Sequence, residues 1–261
     1  MTATSGLHAL VTGASSGIGV VYADRLAARG FDLTLLARRE DRLRDVARDL
    51  SARHGVTADV LAADLAESAD VRRVEEYLRV HGTDFLVNNA GFAVYRPLAD
   101  LPEDTVEEMI LVNVLALARL TRAALPGMLA RGRGTIVNVS SGLSWRPFRT
   151  NATYSGTKAF VNNFTRALAE EVEGTNVKVQ LLVPGVIRTE FHDTSGTDLD
   201  RLPPGMIMEA PDLVDASLKG LDLGELVCVP AQPDPEVIAR VFEAQLAASP
   251  RSGEVAPRYR S

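Results

Sequence analysis

Short apolar runs alternate with longer stretches that carry apolar residues at helical spacing along most of this chain. The run HALVTG predicts a strand over residues 8–13, followed by a helix over about residues 17–29. FDLTLLA predicts a second strand over residues 31–37, and REDRLRDVARDLSARHG a second helix. This alternation is typical of βαβ units that build a parallel sheet, and runs rich in Val, Leu and Ile indicate strands buried on both faces.

The same rhythm continues to the end of the chain. Further strands are predicted in TADVLAADL, DFLVNNAG, GTIVNVSS, VKVQLLVPG and ELVCVP, and further helices in ADVRRVEEYLRVHG and over residues 103–128, 153–173 and 236–246. Pro126 is expected to bend or end the helix over residues 103–128. With no linker or internal repeat, the pattern predicts one domain over residues 1–248. The polar, proline-bearing segment 191–212 is typical of a lid, and the tail 249–261 is predicted to be mobile.

Composition narrows the class of protein. The net charge of the 261 residues is −6 and the sequence pI is near 5.3, which argues against a nucleic-acid partner because such proteins carry a basic footprint. Cys228 is the only cysteine, and its apolar context favours a buried thiol in a reducing compartment. The N-terminus lacks a signal-peptide pattern, and no uncharged apolar run approaches the roughly 18 residues of a membrane span. A cytoplasmic protein without a membrane partner is therefore predicted.

A glycine-rich turn, TGASSGIG, lies between the first predicted strand and helix. Glycine lets the backbone approach a pyrophosphate closely, and the free N–H groups at a helix N-terminus bind its charge. Gly13, Gly17 and Gly19 are spaced GxxxGxG, rather than the GxGxxG of the standard dinucleotide fingerprint. The turn predicts a dinucleotide site, and a tight strand–helix turn without a ligand is the alternative.

The end of the second predicted strand bears on which dinucleotide is bound. A carboxylate there would accept a hydrogen bond from the ribose 2′-hydroxyl, whereas arginine accommodates a 2′-phosphate. Arg38 and Arg39 occupy these positions, and no acidic residue follows until Glu40. Because a guanidinium binds a phosphate in bidentate fashion, we predict NADP(H) in preference to NAD(H). The alternative is a solvated arginine at the start of a helix.

A possible acid–base group follows in YSGTK. Tyr154 and Lys158 are four residues apart and therefore share one face of a helix, and Ser141 precedes the tyrosine by thirteen residues. A cation within about 4–6 Å lowers the pKa of a neighbouring acid, so Lys158 is expected to bring the phenol closer to working pH. Ser141 would donate a hydrogen bond to the substrate oxygen. An exposed tyrosine beside a solvated lysine is the alternative, but the upstream glycine turn argues against it.

Taken together, these motifs resemble the single-domain branch of the short-chain dehydrogenase/reductase family. The resemblance covers about residues 7–189. Its marks are TGASSGIG, Asp64 after the third strand, NNAG at residues 88–91, Asn113 in LVNVLAL, IVNVSS ending at Ser141, YSGTK, and PGVIRT at residues 184–189. The resemblance implies a Rossmann-type α/β fold, a doubly wound three-layer αβα sandwich whose seven-stranded parallel sheet has the order 3-2-1-4-5-6-7. The helix and basic tail after the seventh strand depart from the common pattern, which puts the usual tetramer in doubt and leaves a homodimer as the prediction.

The resemblance also implies a role for individual residues. The family's catalytic tetrad corresponds to Asn113, Ser141, Tyr154 and Lys158, with Lys158 also binding the nicotinamide ribose and Asn113 holding a water in a proton relay. Asp64 would contact the adenine, and Ile187 and Thr189 the carboxamide. Together with Tyr154 and Lys158, the implied cofactor-binding residues are Gly13, Ser15, Ser16, Gly17, Ile18, Gly19, Arg38, Arg39, Asp64, Leu65, Asn89, Ala90, Gly91, Pro184, Gly185, Ile187 and Thr189. No metal site is predicted.

The substrate is expected to meet two segments, GLSWRPFRTNA after Ser141 and the lid. Trp145 and Phe148 would give an apolar pocket, and Arg146 and Arg149 a cationic rim for an acidic or acyl-thioester substrate; a solvated arginine pair is the alternative. The sequence thus predicts an NADP(H)-dependent carbonyl reductase or alcohol dehydrogenase acting on a small molecule. A non-catalytic NADPH-binding sensor or scaffold, or an isomerase, epimerase or dehydratase that uses the cofactor transiently, is the competing hypothesis.

Overall fold

A seven-stranded parallel sheet forms the centre of the protein. The computed structural model describes residues 6–250, 253, 255 and 257–260, without the side chains of Pro204 and Pro257. The sheet contains β1 (His8–Thr12), β2 (Asp32–Ala37), β3 (Ala58–Ala62), β4 (Phe85–Asn88), β5 (Gly134–Val139), β6 (Val177–Leu182) and β9 (Val227–Cys228). Its order is β3-β2-β1-β4-β5-β6-β9, so the predicted doubly wound order is confirmed. Two short strands outside this sheet, β7 (Val186–Arg188) and β8 (Ile207–Glu209), pair with each other in parallel.

Helices cover both faces of the sheet, as the prediction of a three-layer sandwich requires. They are α1 (Gly17–Ala28), α2 (Glu40–His54), α3 (Ser68–His81), α4 (Glu103–Ile110), α5 (Leu117–Arg131), α6 (Ala152–Glu171), α7 (Phe191–Ser195), α8 (Ala210–Leu223) and α9 (Glu236–Ala248). Alternate strand residues point to opposite faces. Val11 of β1 therefore packs in one core layer with α1, α2 and α8, whereas Leu10 packs in the other with α3 and α5.

The helix predicted over residues 103–128 differs from the prediction in two ways. It runs on to Arg131, because Pro126 lies inside α5 without ending it. Between α4 and α5 it contains a six-residue π-helical turn, Leu111–Ala116, which periodicity did not indicate. Such turns often occur at functional sites, and this one carries Asn113.

The segment predicted to be a lid is folded over much of its length. It contains the short helix α7 and the strand β8, and it leads directly into α8. Because β8 pairs with β7, the end of the lid is attached to the segment that follows β6. The structure therefore replaces the expected long loop with short elements around two turns of 3₁₀ helix.

The chain divides into two compact units, Met1–Pro230 and Ala231–Ser261. The first contains the sheet and helices α1 to α8, and the second contains α9. The predicted single domain over residues 1–248 stays a prediction. In the predicted mobile tail, residues 251, 252, 254, 256 and 261 lie outside the described residues.

One stretch among the described residues, Glu103–Arg131, is long and apolar enough to cross a membrane by length and composition alone. Nearly half of its most apolar part (44%) is buried inside the protein, and core helices of soluble proteins meet the same criterion. Its exposed apolar side chains include Ile110 and Leu115, and on α6 Phe160 is exposed and stacks on Phe164. The homodimer predicted through these helices stays a prediction.

Candidate active site

The glycine-rich turn joins the end of β1 to the start of α1. Ser16 precedes the first helical residue in an extended conformation, and its hydroxyl does not cap the N–H groups of α1. Those N–H groups point away from the helix and, without a side-chain cap, are suited to hold an anion. The donor groups that a pyrophosphate requires are therefore present where the sequence predicts them.

Two glycines in this turn are packed so closely that neither position has room for a side chain. A Cβ atom at Gly19 would lie 2.2 Å from the carbonyl oxygen of Gly13, and one at Gly13 would lie 2.7 Å from Nδ2 of Asn89. Gly13 also has a φ of +68°, in the left-handed region that favours glycine. Close packing of the turn on itself and on Asn89 therefore requires glycine at both positions, and this packing fixes the backbone of the predicted dinucleotide cradle.

Thr12 and Asn89 connect this turn to the end of β4. The Thr12 hydroxyl donates to the carbonyl of Val87 and accepts from the backbone N–H groups of Asn89 and Ala90, at 3.0 and 2.9 Å. Nδ2 of Asn89 donates to the carbonyl of Thr12 at 3.0 Å. The predicted cofactor residues Asn89 and Ala90 are therefore held beside Gly13, at the carboxyl edge of the sheet where ligands bind in this class of fold.

A cluster of two arginines and two serine hydroxyls lies beyond the end of β2. Arg39 donates from Nη2 to the hydroxyls of Ser15 and Ser16, at 3.1 and 3.0 Å, and from Nη1 to Glu190 at 3.1 Å. Arg42, on α2, donates from Nη1 to both carboxylate oxygens of Glu190 at 2.8 Å. We call Ser15, Ser16, Arg39 and Arg42 the anion cluster. Sequence analysis named three of its members but missed Arg42, whose only signal was its position on the first turn of α2.

Arg38 has a different environment from Arg39. Its side chain is 71% exposed, and its Nη1 lies 3.9 Å from Oδ2 of Asp64. Asp64 accepts a hydrogen bond at Oδ1 from the backbone N–H of Ala66, and Leu65 is buried. Of the two arginines predicted to select the cofactor, the structure therefore places Arg39, rather than Arg38, in direct contact with the glycine-rich turn.

Ser141, Tyr154 and Lys158 converge below the carboxyl end of β5. Ser141 follows β5 by two residues and caps a short 3₁₀ turn, with its hydroxyl accepting from the N–H of Leu143 at 3.2 Å. Tyr154 and Lys158 share the buried face of α6, and Nζ of Lys158 lies 5.9 Å from the centre of the Tyr154 ring. Nζ also donates to the carbonyl of Val139 at 2.8 Å. The predicted serine–tyrosine–lysine group is thus brought together.

The pKa of Tyr154 is raised, so the expectation that Lys158 lowers it is wrong. Burial raises the pKa of Tyr154 well above its usual value, Tyr95 raises it further, and the hydrogen-bonding Ser141 lowers it in part. Burial also lowers the pKa of Lys158, to about 8. Desolvation disfavours the charged form of each group, and here it outweighs the attraction between the lysine and a phenolate. Tyr154 is therefore a neutral phenol at physiological pH, the form that donates a proton.

Asn113 lies in the π-helical turn and is buried beside the tyrosine helix. Its Oδ1 accepts from the backbone N–H of Phe92 at 3.1 Å, and its Nδ2 donates to the Phe92 carbonyl at 3.0 Å and to the Thr157 hydroxyl at 3.2 Å. A Cβ atom at Gly91 would lie 2.9 Å from this Oδ1 and 3.4 Å from Nζ of Lys158. Asn113 thus fixes the chain after NNAG against α6.

Aromatic rings lie around the ring of Tyr154. The ring of Tyr95 meets those of Phe148 and Tyr154 at 5.5 and 5.8 Å between centroids, and Phe191 of α7 lies 5.9 Å from Tyr154. Sequence analysis named Phe148 but missed Tyr95, although its position four residues after NNAG was a usable signal. Trp145, predicted to face the substrate, packs instead against the core residues Leu117, Val161, Leu181 and Val183.

The segment PGVIRT closes the cofactor side of the site. The carbonyl of Pro184 accepts from the N–H of Gly142 at 2.9 Å, and Ile187 is buried. Thr189 approaches the glycine-rich turn so closely that a Cβ atom at Gly17 would lie 3.0 Å from its Cγ2. His192, at the start of the lid, hydrogen-bonds to the carbonyl of Ile187 at 2.9 Å. Within the described part of the chain, no group of three or more His, Cys, Asp or Glu side chains could hold a metal ion.

The geometry agrees with comparisons to known proteins. A family model described as short chain dehydrogenase matches residues 7–200. The chain belongs to this family. Among solved structures, a short-chain dehydrogenase from Sphingobium yanoikuyae in complex with NADPH superposes with a TM-score of 0.93 and 37% identity, over 97% of this chain and all of that one. The bulky-bulky ketone specific alcohol dehydrogenase from Comamonas testosteroni gives a TM-score of 0.88 and 33% identity, over 97% and 98% of the two chains.

Curated relatives in the family differ in their described activity. A very-long-chain 3-oxoacyl-CoA reductase from Anas platyrhynchos is 35% identical over 210 residues, which are 78% of this chain and 67% of the relative. The inactive hydroxysteroid dehydrogenase-like protein 1 from Homo sapiens is 35% identical over 189 residues, which are 71% of this chain and 57% of that one. The match thus spans between about half and two thirds of these relatives' own length.

Proposed function

We propose that this short chain dehydrogenase is an NADP(H)-dependent carbonyl reductase that acts on bulky, largely apolar ketones and, in reverse, on the corresponding secondary alcohols. The observation that carries the proposal is the buried Tyr154 side chain, which lies beside Ser141 and is flanked by Tyr95 and Phe191, with Phe148 packed against Tyr95. A phenol kept neutral by burial is an acid that donates to a carbonyl oxygen. The aromatic walls favour apolar substituents on either side of that carbonyl.

The chain's own groups divide the work of reduction. Bound NADPH supplies the hydride to the carbonyl carbon. Tyr154 gives its hydroxyl proton to the carbonyl oxygen, and Ser141 donates a hydrogen bond where negative charge develops on that oxygen. Lys158 is held by the carbonyl of Val139 on the cofactor side of the ring, where its ammonium group stabilises the phenolate that remains. Tyr154 and Lys158 are themselves buried, which limits the access of water to these charges.

A second apolar surface lies beside α4. A cleft of about 610 Å³ there is lined by residues of α4 and its flanks, and two of its lining residues, Leu101 and Val106, also pack in the cluster around Tyr154. The rim beyond Phe148 carries Arg146 and Arg149, both exposed. The name of the Comamonas testosteroni structure supports a bulky ketone, and the name of the Anas platyrhynchos relative supports an acyl thioester of similar apolar character.

The experiment that tests the reaction follows the loss of NADPH absorbance over a panel of bulky ketones, aldehydes and 3-oxoacyl thioesters. We expect turnover of bulky ketones, with a lower KM than for small ones. NADPH binding without turnover of any panel member would instead support a non-catalytic binding protein, which the name of the inactive human relative keeps as the second candidate. The retained and converging Ser141, Tyr154 and Lys158 argue against that candidate.

The anion cluster supports the preference for NADP(H). Replacing Arg39 with alanine removes hydrogen bonds to the glycine-rich turn and a cation from the 2′-phosphate position, so we expect NADPH affinity to fall by about tenfold and NADH affinity to stay unchanged. Arg38→Ala, on the more exposed neighbour, is expected to cost less. Fluorescence titration of both cofactors measures this, with Arg44→Ala on the outer face of α2 as the control. Equal losses of NADPH and NADH affinity would contradict the role of Arg39.

The raised pKa of Tyr154 leads to opposite pH profiles for the two reaction directions. Since the folded-state pKa lies above the ordinary value of about 10, the phenol keeps its proton through neutral and mildly alkaline pH. We expect kcat for ketone reduction to stay level between about pH 6 and pH 7, where both Tyr154 and Lys158 keep their protons, and kcat for alcohol oxidation to rise with pH as the phenolate fraction grows. Above about pH 8 the reductive kcat is expected to decline, because burial lowers the pKa of Lys158 to about 8 and its charge no longer stabilises the phenolate. A steep fall of the reductive kcat between pH 6 and pH 7, measured at saturating cofactor, would refute this assignment.

A further inference from the structure

Glu190 links the anion cluster to the substrate lid. It directly follows Thr189, which touches the glycine-rich turn, and it directly precedes Phe191, the first residue of α7. Its carboxylate accepts from Arg39 at 3.1 Å and from Arg42 at 2.8 Å. These guanidiniums belong to the N-terminal region of α2, about 150 residues earlier in the chain. One side chain therefore connects the start of the lid to the two arginines that follow β2.

The carboxylate of Glu190 occupies the position of an anion in this cluster. Arg39 reaches Ser15, Ser16 and Glu190 at once, and Arg42 binds the same carboxylate, so two guanidiniums hold one acidic group. Arg39 and, to a lesser extent, Arg42 hold the pKa of the Glu190 carboxyl below its usual range, which keeps it ionised at neutral pH. All three ion-pair side chains remain between 42 and 48% exposed, so an incoming ligand has access to them.

A 2′-phosphate and a carboxylate compete for the same guanidinium donors. Both are anions that bind arginine through paired N–H groups, and two such anions placed side by side would repel each other. We propose that Glu190 is an internal competitor for the cofactor 2′-phosphate, and that NADP(H) must displace its carboxylate from Arg39 and Arg42, which releases the start of the lid. The inference rests on the proposed preference for NADP(H). The inference gives Glu190 a role in cofactor selection and in lid position. Glu190 lies one residue beyond the motif PGVIRT, so the motif does not predict this role.

The consequence differs between the two cofactors. NADH carries a 2′-hydroxyl, which does not displace a carboxylate from two arginines, so its binding leaves the lid tied through Glu190. NADPH breaks this tie and frees α7, whose Phe191 lines the pocket of Tyr154. Cofactor identity is thereby transmitted to a wall of the substrate pocket without any contact between the 2′-phosphate and the substrate.

The test is the affinity of wild type and Glu190→Gln for NADPH, NADH and 2′,5′-ADP, measured by calorimetry. The glutamine keeps the size of the side chain but removes the competing charge. Because exposed ion pairs are weak, we expect NADPH and 2′,5′-ADP to bind about threefold to tenfold more tightly to the variant, with NADH unchanged. Glu209→Gln is the matched control, since Glu209 is a similarly exposed lid residue that pairs with Arg188 at 2.9 Å instead. This control is expected to leave all three affinities as in the wild type.

Each result separates the inference from the proposal beneath it. If the wild type prefers NADPH but Glu190→Gln binds it equally or more weakly, Glu190 organises the arginines rather than competing, and the inference is wrong. If the wild type binds NADPH and NADH equally and no variant changes either affinity, the proposed cofactor preference itself fails. A gain seen also in Glu209→Gln would show a general effect of net charge and would likewise overturn the inference.

Hydrogen exchange of the lid gives a second readout that does not depend on activity. We expect NADPH, but not NADH, to speed amide exchange in residues 190–196 of the wild type. In Glu190→Gln the same residues should exchange faster before any cofactor is added, because the tie is already broken. Equal protection of these residues in the NADPH and NADH complexes would contradict the proposed release of the lid.

Discussion

Replacing Tyr154 with phenylalanine is expected to lower kcat for ketone reduction by about a thousandfold, while NADPH affinity changes little. The substitution removes one oxygen atom from a side chain that is only 5% exposed and keeps the ring that packs between Tyr95 and Phe191. Since the removed hydroxyl is the proposed proton donor, the loss falls on the chemical step and not on the fold. Single-turnover rates of NADPH oxidation with a saturating ketone would measure this directly.

Tyr95→Phe is the matched control for this experiment. Tyr95 is a second tyrosine of the same aromatic cluster, and burial raises its pKa to about 12. Its hydroxyl has no assigned role in proton transfer, so its removal should leave kcat within about threefold of the wild type, a range typical of minor changes in binding. If Tyr95→Phe lost as much activity as Tyr154→Phe, the assignment of the proton donor would be wrong.

The second large effect is expected at the glycine-rich turn, from Gly19→Ala. The added methyl group would lie 2.2 Å from the carbonyl oxygen of Gly13 and 2.8 Å from Nδ2 of Asn89, so the backbone of the turn must move. Overpacking of this kind costs about 1–3 kcal/mol, and a displaced cradle no longer matches the pyrophosphate. We expect NADPH to bind roughly 30- to 100-fold more weakly, with a lower melting temperature.

Gly156→Ala provides the comparison for Gly19→Ala. Gly156 lies in α6, and no atom stands within 4 Å of the position its Cβ would take. An exposed glycine-to-alanine change inside a helix stabilises by about 1 kcal/mol, so this variant should melt higher and bind NADPH as the wild type does. Unchanged NADPH binding by Gly19→Ala would show that the turn does not hold the cofactor.

The strands of the sheet and the convergence of Ser141, Tyr154 and Lys158 followed from the sequence because each depends on local patterns. Strand runs such as FDLTLLA and the spacing of Tyr154 and Lys158 leave little choice of structure. The contact between Arg42 and Glu190 did not follow, because these residues are separated by 148 positions and nothing local indicates that they meet. The pKa of Tyr154 was mispredicted for a similar reason, since the burial that dominates it comes from residues on several distant elements.

The aromatic residues of the pocket also could not be assigned from the sequence alone. The composition of the segment after Ser141 suggested that Trp145 and Phe148 would face the substrate, but only the packing shows that one of them belongs to the core. Sequence analysis did not identify Tyr95, because a single aromatic residue in a loop gives no periodic pattern that would place it in the site. Tyr95 lies in the loop after β4 and Phe148 in the loop after β5. These loops meet because β4 and β5 are neighbours in the folded sheet, a contact between loops that the sequence does not show.

The number of residues in the π-helical turn Leu111–Ala116 determines where Asn113 lies in the candidate active site. A π-helical turn is closed by i→i+5 hydrogen bonds and so holds about one residue more than an α-helical turn. Removing one residue here would let the stretch close as ordinary α-helix, and the shifted Asn113 would lose its hydrogen bonds to the backbone of Phe92. Related proteins should therefore show substitutions in this stretch far more often than the deletion of a single residue.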